Sequence, residues 1–361
     1  MPTDDDDGLF DFIRSLHKAE IHSHLSGSVR DATLSELSAS SPLQPFDASA
    51  RSLAECFQVF DMIHKTITTA AHLRRVVCEM VEDNANDGVV YLEIRTTPRA
   101  LLDFEHAEGT ATTCVKREES EGLVVDAALN FYVQTVLGAI DSCPAVRSGA
   151  IHVRLILSLN RTSALASMER IVQVARAAWP TVVGLDVSGD PTRGDMIPIL
   201  ALLEEQARPF GLPVSVHTGE VMNVRETEAI LTFRPDRLGH CCVLAEPTRT
   251  RMASLVPPIP LELCPTSNCL TLHLPTFGHH PQMDFWLDKK YPTSICTDDS
   301  GVFNVTLSSE LHLVAVTKGL SRSQVADLAL AAFDFLFCDA TLRDSLKAAA
   351  RAEADRLLAG H

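Results

Sequence analysis

His22 and His24 stand two residues apart in the run AEIHSHL (19–25). If that run is a β-strand, its side chains alternate, so both imidazoles point the same way and bring two nitrogens to one place. Such a pair can bind a metal ion or simply share a hydrogen bond, and in a chain with 14 histidines the pair alone does not decide. Position says more. His217, His240 and Asp298 lie at or near the polar ends of other strand-like runs. Three imidazoles and one carboxylate, with a place left for water, are the donors and open coordination that catalytic zinc uses. The ligand set read here is His22, His24, His217 and Asp298. Spacing leaves open an exchange in which His240 is a ligand and His217 a base. One ion is favoured over two, because none of the strand-like runs carries a lysine that could bridge a metal pair.

A divalent ion lowers the pKa of a bound water towards about 7. Attack by that water on an aromatic carbon also needs a base, a proton donor for the ring and a group that orients the ring. Glu220, three residues after His217 in HTGE, suits the donor if burial keeps it protonated. Without the neighbouring histidine it would read as a carboxylate at a helix N-terminus. Asp299 adjoins Asp298, and either faces the same pocket or caps the following helix. The HAE at His106 to Glu108 matches half of a zinc deaminase signature, but no PCxxC accompanies it, so His106 is assigned to a surface loop.

These residues need a scaffold that brings distant stretches together. Eight apolar runs mostly end in polar or small residues: 19–25, 89–98, 151–160, 182–190, 213–220, 237–241, 260–268 and 291–299. Helical patterning lies between them, as in 167–178 and LEEQARPFG ahead of the fifth run. Eight such units predict an α/β fold, a (β/α)8 TIM barrel whose catalytic residues sit at the C-terminal strand ends. Extra helices are expected after strand 1, with FQVFDMIHKTI (57–67) the clearest, and at the C-terminus. An open doubly wound sheet is the alternative, but no GxGxxG or GxxxxGK[ST] loop follows any run.

Composition narrows the classes. With 31 Lys+Arg against 47 Asp+Glu, the net charge is −16, which argues against nucleic acid as a partner. No stretch reaches the roughly 20 uninterrupted apolar residues of a membrane helix, and the start is acidic, unlike a targeting peptide. A cytosolic monomer is the expectation. Residues 1–10 are expected to be an acidic disordered tail, ahead of a single catalytic domain over 11–361. The ten cysteines, scattered and without a CxxC, read as reduced core thiols.

Five ordered motifs resemble the adenosine and AMP deaminase family of mononuclear zinc amidohydrolase barrels. They are HKAEIHSHLSGS, SGD, HTGE, RLGH and CTDDSGVF, spread over about residues 16 to 305. The resemblance implies one Zn2+ per chain at His22, His24, His217 and Asp298, with Glu220 as proton donor to the purine and His240 as the base. It also implies that Asp299 bonds the imidazole half of the purine and that Gly189 offers its amide to the pyrimidine half. EIRTTPR (93–99) and FDMIHKTI are most similar to the adenosine deaminase-like branch, which acts on N(6)-methyl-AMP. That likeness implies a nucleotide pocket of His24, Ser26, His64, Thr96, Thr97, Pro98, Arg99, Asn160, Gly189 and Asp299. Ser26 departs from the asparagine more usual there. Arg99 with its two threonines also supplies the cation and donors that a phosphate dianion requires. The implied reaction is hydrolysis of N(6)-methyl-AMP to IMP and methylamine. Adenosine deamination, or a non-catalytic ligand-binding relative, are the alternatives.

Overall fold

The computed structural model of the chain describes residues 4–38, 53–104 and 117–360. His106 and its HAE motif lie outside them. Eight strands run in parallel and in sequence order: β1 Lys18–His24, β2 Val89–Thr96, β3 His152–Asn160, β4 Val182–Ser188, β5 Val214–Thr218, β6 Arg237–His240, β7 Leu261–Leu263 and β8 Thr293–Ile295. The ring closes just beyond β8, where the Asp298 amide donates to His22 O at 2.9 Å and the His24 amide donates to Asp298 O at 2.8 Å. The expected barrel is the observed one.

Helices between the strands cover the outside, because each strand buries an outward apolar row that only a second layer can hide from water. The helix Leu165–Ala177 buries Met168, Ile171, Val172, Val174 and Ala175 in this way. The extra helices follow β1, as Asp31–Leu37, Leu53–Thr66 and Ala70–Asn86, and fill the region after β8 to Ala359.

Three expectations change. The acidic start is not a tail through residue 10, for a helix spans Asp4–Ser15. Acidic residues favour a helix N-terminus, and Phe12 and Ile13 behind them are buried. The runs 260–268 and 291–299 form only three strand residues each. After β7, Pro265 opens the helix Pro265–Thr271, as its fixed φ and missing N–H favour. Finally, β1 does contain a lysine, Lys18. Its ammonium donates to Ile13 O, Arg14 O and Leu16 O, satisfying the end of the first helix at the opposite end of β1 from His24.

The helix Arg117–Ser142 contains one stretch, Gly122–Ser142, long and apolar enough by composition to cross a membrane. Here it buries Tyr132, Val133, Val136 and Ala139 in the protein core.

Candidate active site

The C-terminal strand ends bring four donor atoms together. His24 Nε2 lies 3.3 Å from His22 Nε2, 3.1 Å from His217 Nε2 and 3.4 Å from Asp298 Oδ1, and His22 Nε2 lies 3.3 Å from the same oxygen. Two ligands each about 2.05 Å from one ion stand at most about 4.1 Å apart, so all four separations are compatible with a shared zinc. The histidines' other nitrogens are already engaged. His22 Nδ1 meets Glu262 Oε2 at 2.7 Å, and His217 Nδ1 lies 3.0 Å from Asp186 Oδ1, off the straight line of a hydrogen bond. A proton kept on Nδ1 would leave Nε2 of His22 and His217 as the inward-facing atom for an ion. Ser267 Oγ donates to Asp298 Oδ2 at 2.7 Å and leaves Oδ1 for the cluster.

The backbone is arranged to make this convergence possible. Asp298 and His240 both adopt left-handed φ, 63° and 66°, uncommon for residues with a side chain and typical of strand ends bent toward a site. Gly239 makes space, because a Cβ there would sit 3.1 Å from His22 Cε1. Gly27 does the same for Asp299, whose Oδ1 lies 1.7 Å from where a Cβ would be.

His240 is buried beside the cluster, its ring centroid 4.9 Å from that of His217 and 5.1 Å from that of His22. Its Nδ1 contacts Asn268 Nδ2 at 3.0 Å, while Asn268 Oδ1 has no partner. Turning the amide over, an exchange of two near-identical atoms, lets Oδ1 accept from Nδ1–H and leaves Nε2 basic. Burial holds His240 well below the usual histidine range and pushes His24 down to about 3, so both are neutral. Burial and Arg95 act to lower His22, but Glu262 and Asp298 carry it up to about 9, so ion binding there would displace a proton. Burial pushes Glu220 up to about 7, opposed by His217 and helped by the Asp298 charge. Burial, then Asp298 and Glu220, push Asp299 well above the usual carboxylate range, which favours its protonated form.

The residues expected to form the nucleotide pocket are placed less uniformly. Asn160 and Gly189 are neighbours: a Cβ on Gly189, whose φ is +108°, would lie 2.6 Å from Asn160 Oδ1. That oxygen accepts from the amide and hydroxyl of Thr162. Thr96 Oγ1 contacts Tyr132 OH at 2.7 Å in the helical layer, so its hydroxyl faces away from the barrel interior. Arg99 Nη2 donates to Ile67 O at 2.7 Å, and His64 Nδ1 donates to Phe60 O at 2.8 Å, leaving Nε2 as its basic nitrogen. Thr97 and Ser26 are half-buried, and Pro98 is buried.

Sequence reasoning passed over the charges beneath the histidines: Arg95, Asp186 and Glu262. All three are completely buried; Asp186 and Glu262 are the sole charges of short apolar strands, and Arg95 shares β2 with Glu93. That interruption, two residues before or after inward-facing positions, was the available signal.

With this geometry in view, similarity to known proteins can be weighed. The family model described as adenosine deaminase matches residues 17–351. The chain belongs to the adenosine deaminase family. An N6-mAMP deaminase of Arabidopsis thaliana is 34% identical over 351 residues, covering 93% of this chain and 97% of its own. A solved structure of the Arabidopsis protein ADAL complexed with IMP has 33% identity and a TM-score of 0.81, covering 96% of this chain and 99% of that one. An amidohydrolase from Burkholderia ambifaria, solved with bound Zn, shares the fold at 20% identity and a TM-score of 0.77, covering 97% and 94%. Membership makes this chain a deaminase, a hydrolase by reaction type.

Proposed function

We propose that the protein is a zinc-dependent deaminase that hydrolyses N(6)-methyl-AMP and related 6-substituted AMPs to IMP and the free amine. The carrying observation is the convergence of three imidazole nitrogens and Asp298 Oδ1, four of their separations lying at 3.1 to 3.4 Å, beside two acids, Glu220 and Asp299, that are both raised above the usual carboxylate range. The substrate assignment is supported by the relatives named for N6-methyl-AMP and by the Arabidopsis structure with IMP.

When bound, the ion supplies Lewis acidity and a more acidic water. The protein's own groups do the rest. Asp299 and Gly189 orient the purine, one through its carboxyl and the other through its amide. His240 takes a proton from the attacking water, and Glu220 delivers one to the ring nitrogen that gains electron density. A C–O bond forms at carbon 6, the C–N bond to the amine breaks, and the amine leaves carrying a proton. Arg99, Thr97 and His64 receive the phosphate, with Ser26 and Asn160 towards the sugar. Thr96 fixes this rim through Tyr132.

A panel of adenosine, AMP and N(6)-methyl-AMP, followed by hypoxanthine absorbance, tests the reading. Preference for the methylated monophosphate is expected; preference for adenosine would replace it with adenosine deamination. Purified protein without about one zinc per chain, and inactive on all three, would leave only a ligand-binding relative. The same reading takes the protein as a cytosolic monomer, tested by size-exclusion chromatography and cell fractionation.

A further inference from the structure

We infer that Arg95, which touches none of the four ligands, is the positioning residue that sets the aim of two of them. It lies fully buried inside the barrel. Its Nη1 donates to Asp186 Oδ1 at 3.0 Å, and its Nη2 donates to Glu262 Oε1 at 2.6 Å and to Ile21 O at 2.8 Å. Asp186 and Glu262 are the carboxylates beside His217 Nδ1 and His22 Nδ1. One guanidinium on β2 thus ties together β1, β4 and β7, and each acid also faces a different ligand.

The planar fork matters. Two nitrogens in fixed relation hold two acids in fixed relation, which a single ammonium on a flexible stem cannot do. Glu262 fixes the rotation and tautomer of His22 through a hydrogen bond, Asp186 faces His217 Nδ1 as a close charge, and loss of such outer partners weakens metal binding by about 10- to 100-fold. The two sides differ. Glu262 has a second arginine, Arg237, whose Nε lies 2.8 Å away, and also accepts from Ser215 Oγ. Asp186 has Arg95 as its sole arginine among the described residues, and its Oδ2 has no partner. Loosening Arg95 therefore disturbs His217 more than His22.

This inference rests on the reading that the cluster binds zinc, and the experiment separates the two. Zinc affinity is measured by competition with a chromogenic chelator, and ring geometry by the visible absorption of the cobalt(II)-loaded protein. Arg95→Lys keeps the buried positive charge without the planar fork, and Arg95→Gln removes the charge while leaving Asp186 and Glu262 in place. Phe333→Leu, in the core away from the cluster, controls for general destabilisation. The expected result is about 10- to 100-fold weaker zinc binding in both Arg95 variants, with an altered cobalt spectrum and native circular dichroism, and unchanged affinity in the control. Zinc affinity equal to the parent's in either folded variant would overturn the inference. So would failure of both to fold while the control folds, since Arg95 would then determine the fold and not the aim of the ligands. If the unaltered protein binds no zinc, the metal reading itself falls.

Discussion

The two ends of the candidate site are built differently. At the metal end, Asp298 is fixed through its own amide, its carbonyl and Ser267, while His22 and His217 each lean on a buried acid. At the proposed phosphate end, Arg99 and His64 are held by one backbone carbonyl each, and Thr96 is turned toward the helices. His22 is fully buried, whereas His64 is exposed. Bond-making at carbon 6 demands fixed distances, and recognition of a charged, solvated phosphate tolerates mobile side chains that reach it. Reaction type is therefore written into the rigid end and substrate choice into the adaptable one.

Breaking the rigid end has the largest effect. His217→Ala or Asp298→Ala should reduce bound zinc and turnover to background, read by elemental analysis and product absorbance. Next, Glu220→Gln should keep zinc but lower kcat by about 10²- to 10⁴-fold. Its pH profile adds a signature. The carboxyl is raised to about 7, so the proton it must donate is present below that pH and lost above it. The unaltered enzyme should then lose kcat as pH rises through about 7, and that limb should vanish in the glutamine variant.

At the adaptable end, Arg99→Ala should lower kcat/KM for monophosphates by about 10- to 100-fold, the worth of a charged hydrogen bond, with little change on adenosine. Equal losses on both would erase the division of labour. The smallest expected effect is that of Gly239→Ala. The added Cβ would press on His22 Cε1 at 3.1 Å and weaken zinc binding about tenfold, seen by chelator competition.

Much of this was legible in the sequence because strand ends carry it. The eight strands fall within the runs read for them, apart from Lys18 at the start of β1, and His22, His24, His217 and Asp298 meet as their positions implied. Boundaries were less legible where polar residues continued an apolar run. CPTSN looked like strand, yet Pro265 begins a helix that delivers Ser267 to Asp298 and Asn268 to His240. The supporting acids were hidden for another reason: one charge in a short strand has no partner until the barrel closes. The first helix was missed because four aspartates read as mutual repulsion, while the apolar residues behind them pack.

The ligands also straddle the place where the ring shuts. β8 has three residues, and its join to β1 is a single bridge, Ser23 to Asp298. An ion held by His22, His24 and Asp298, as proposed, would act there as a rivet on a hoop whose last weld is short. Stripping zinc with a chelator should accelerate amide deuterium uptake at 18–24 and 293–299 before other strands respond. The short β8–β1 join and the proposed ion site therefore share the same residues, and one would support the other.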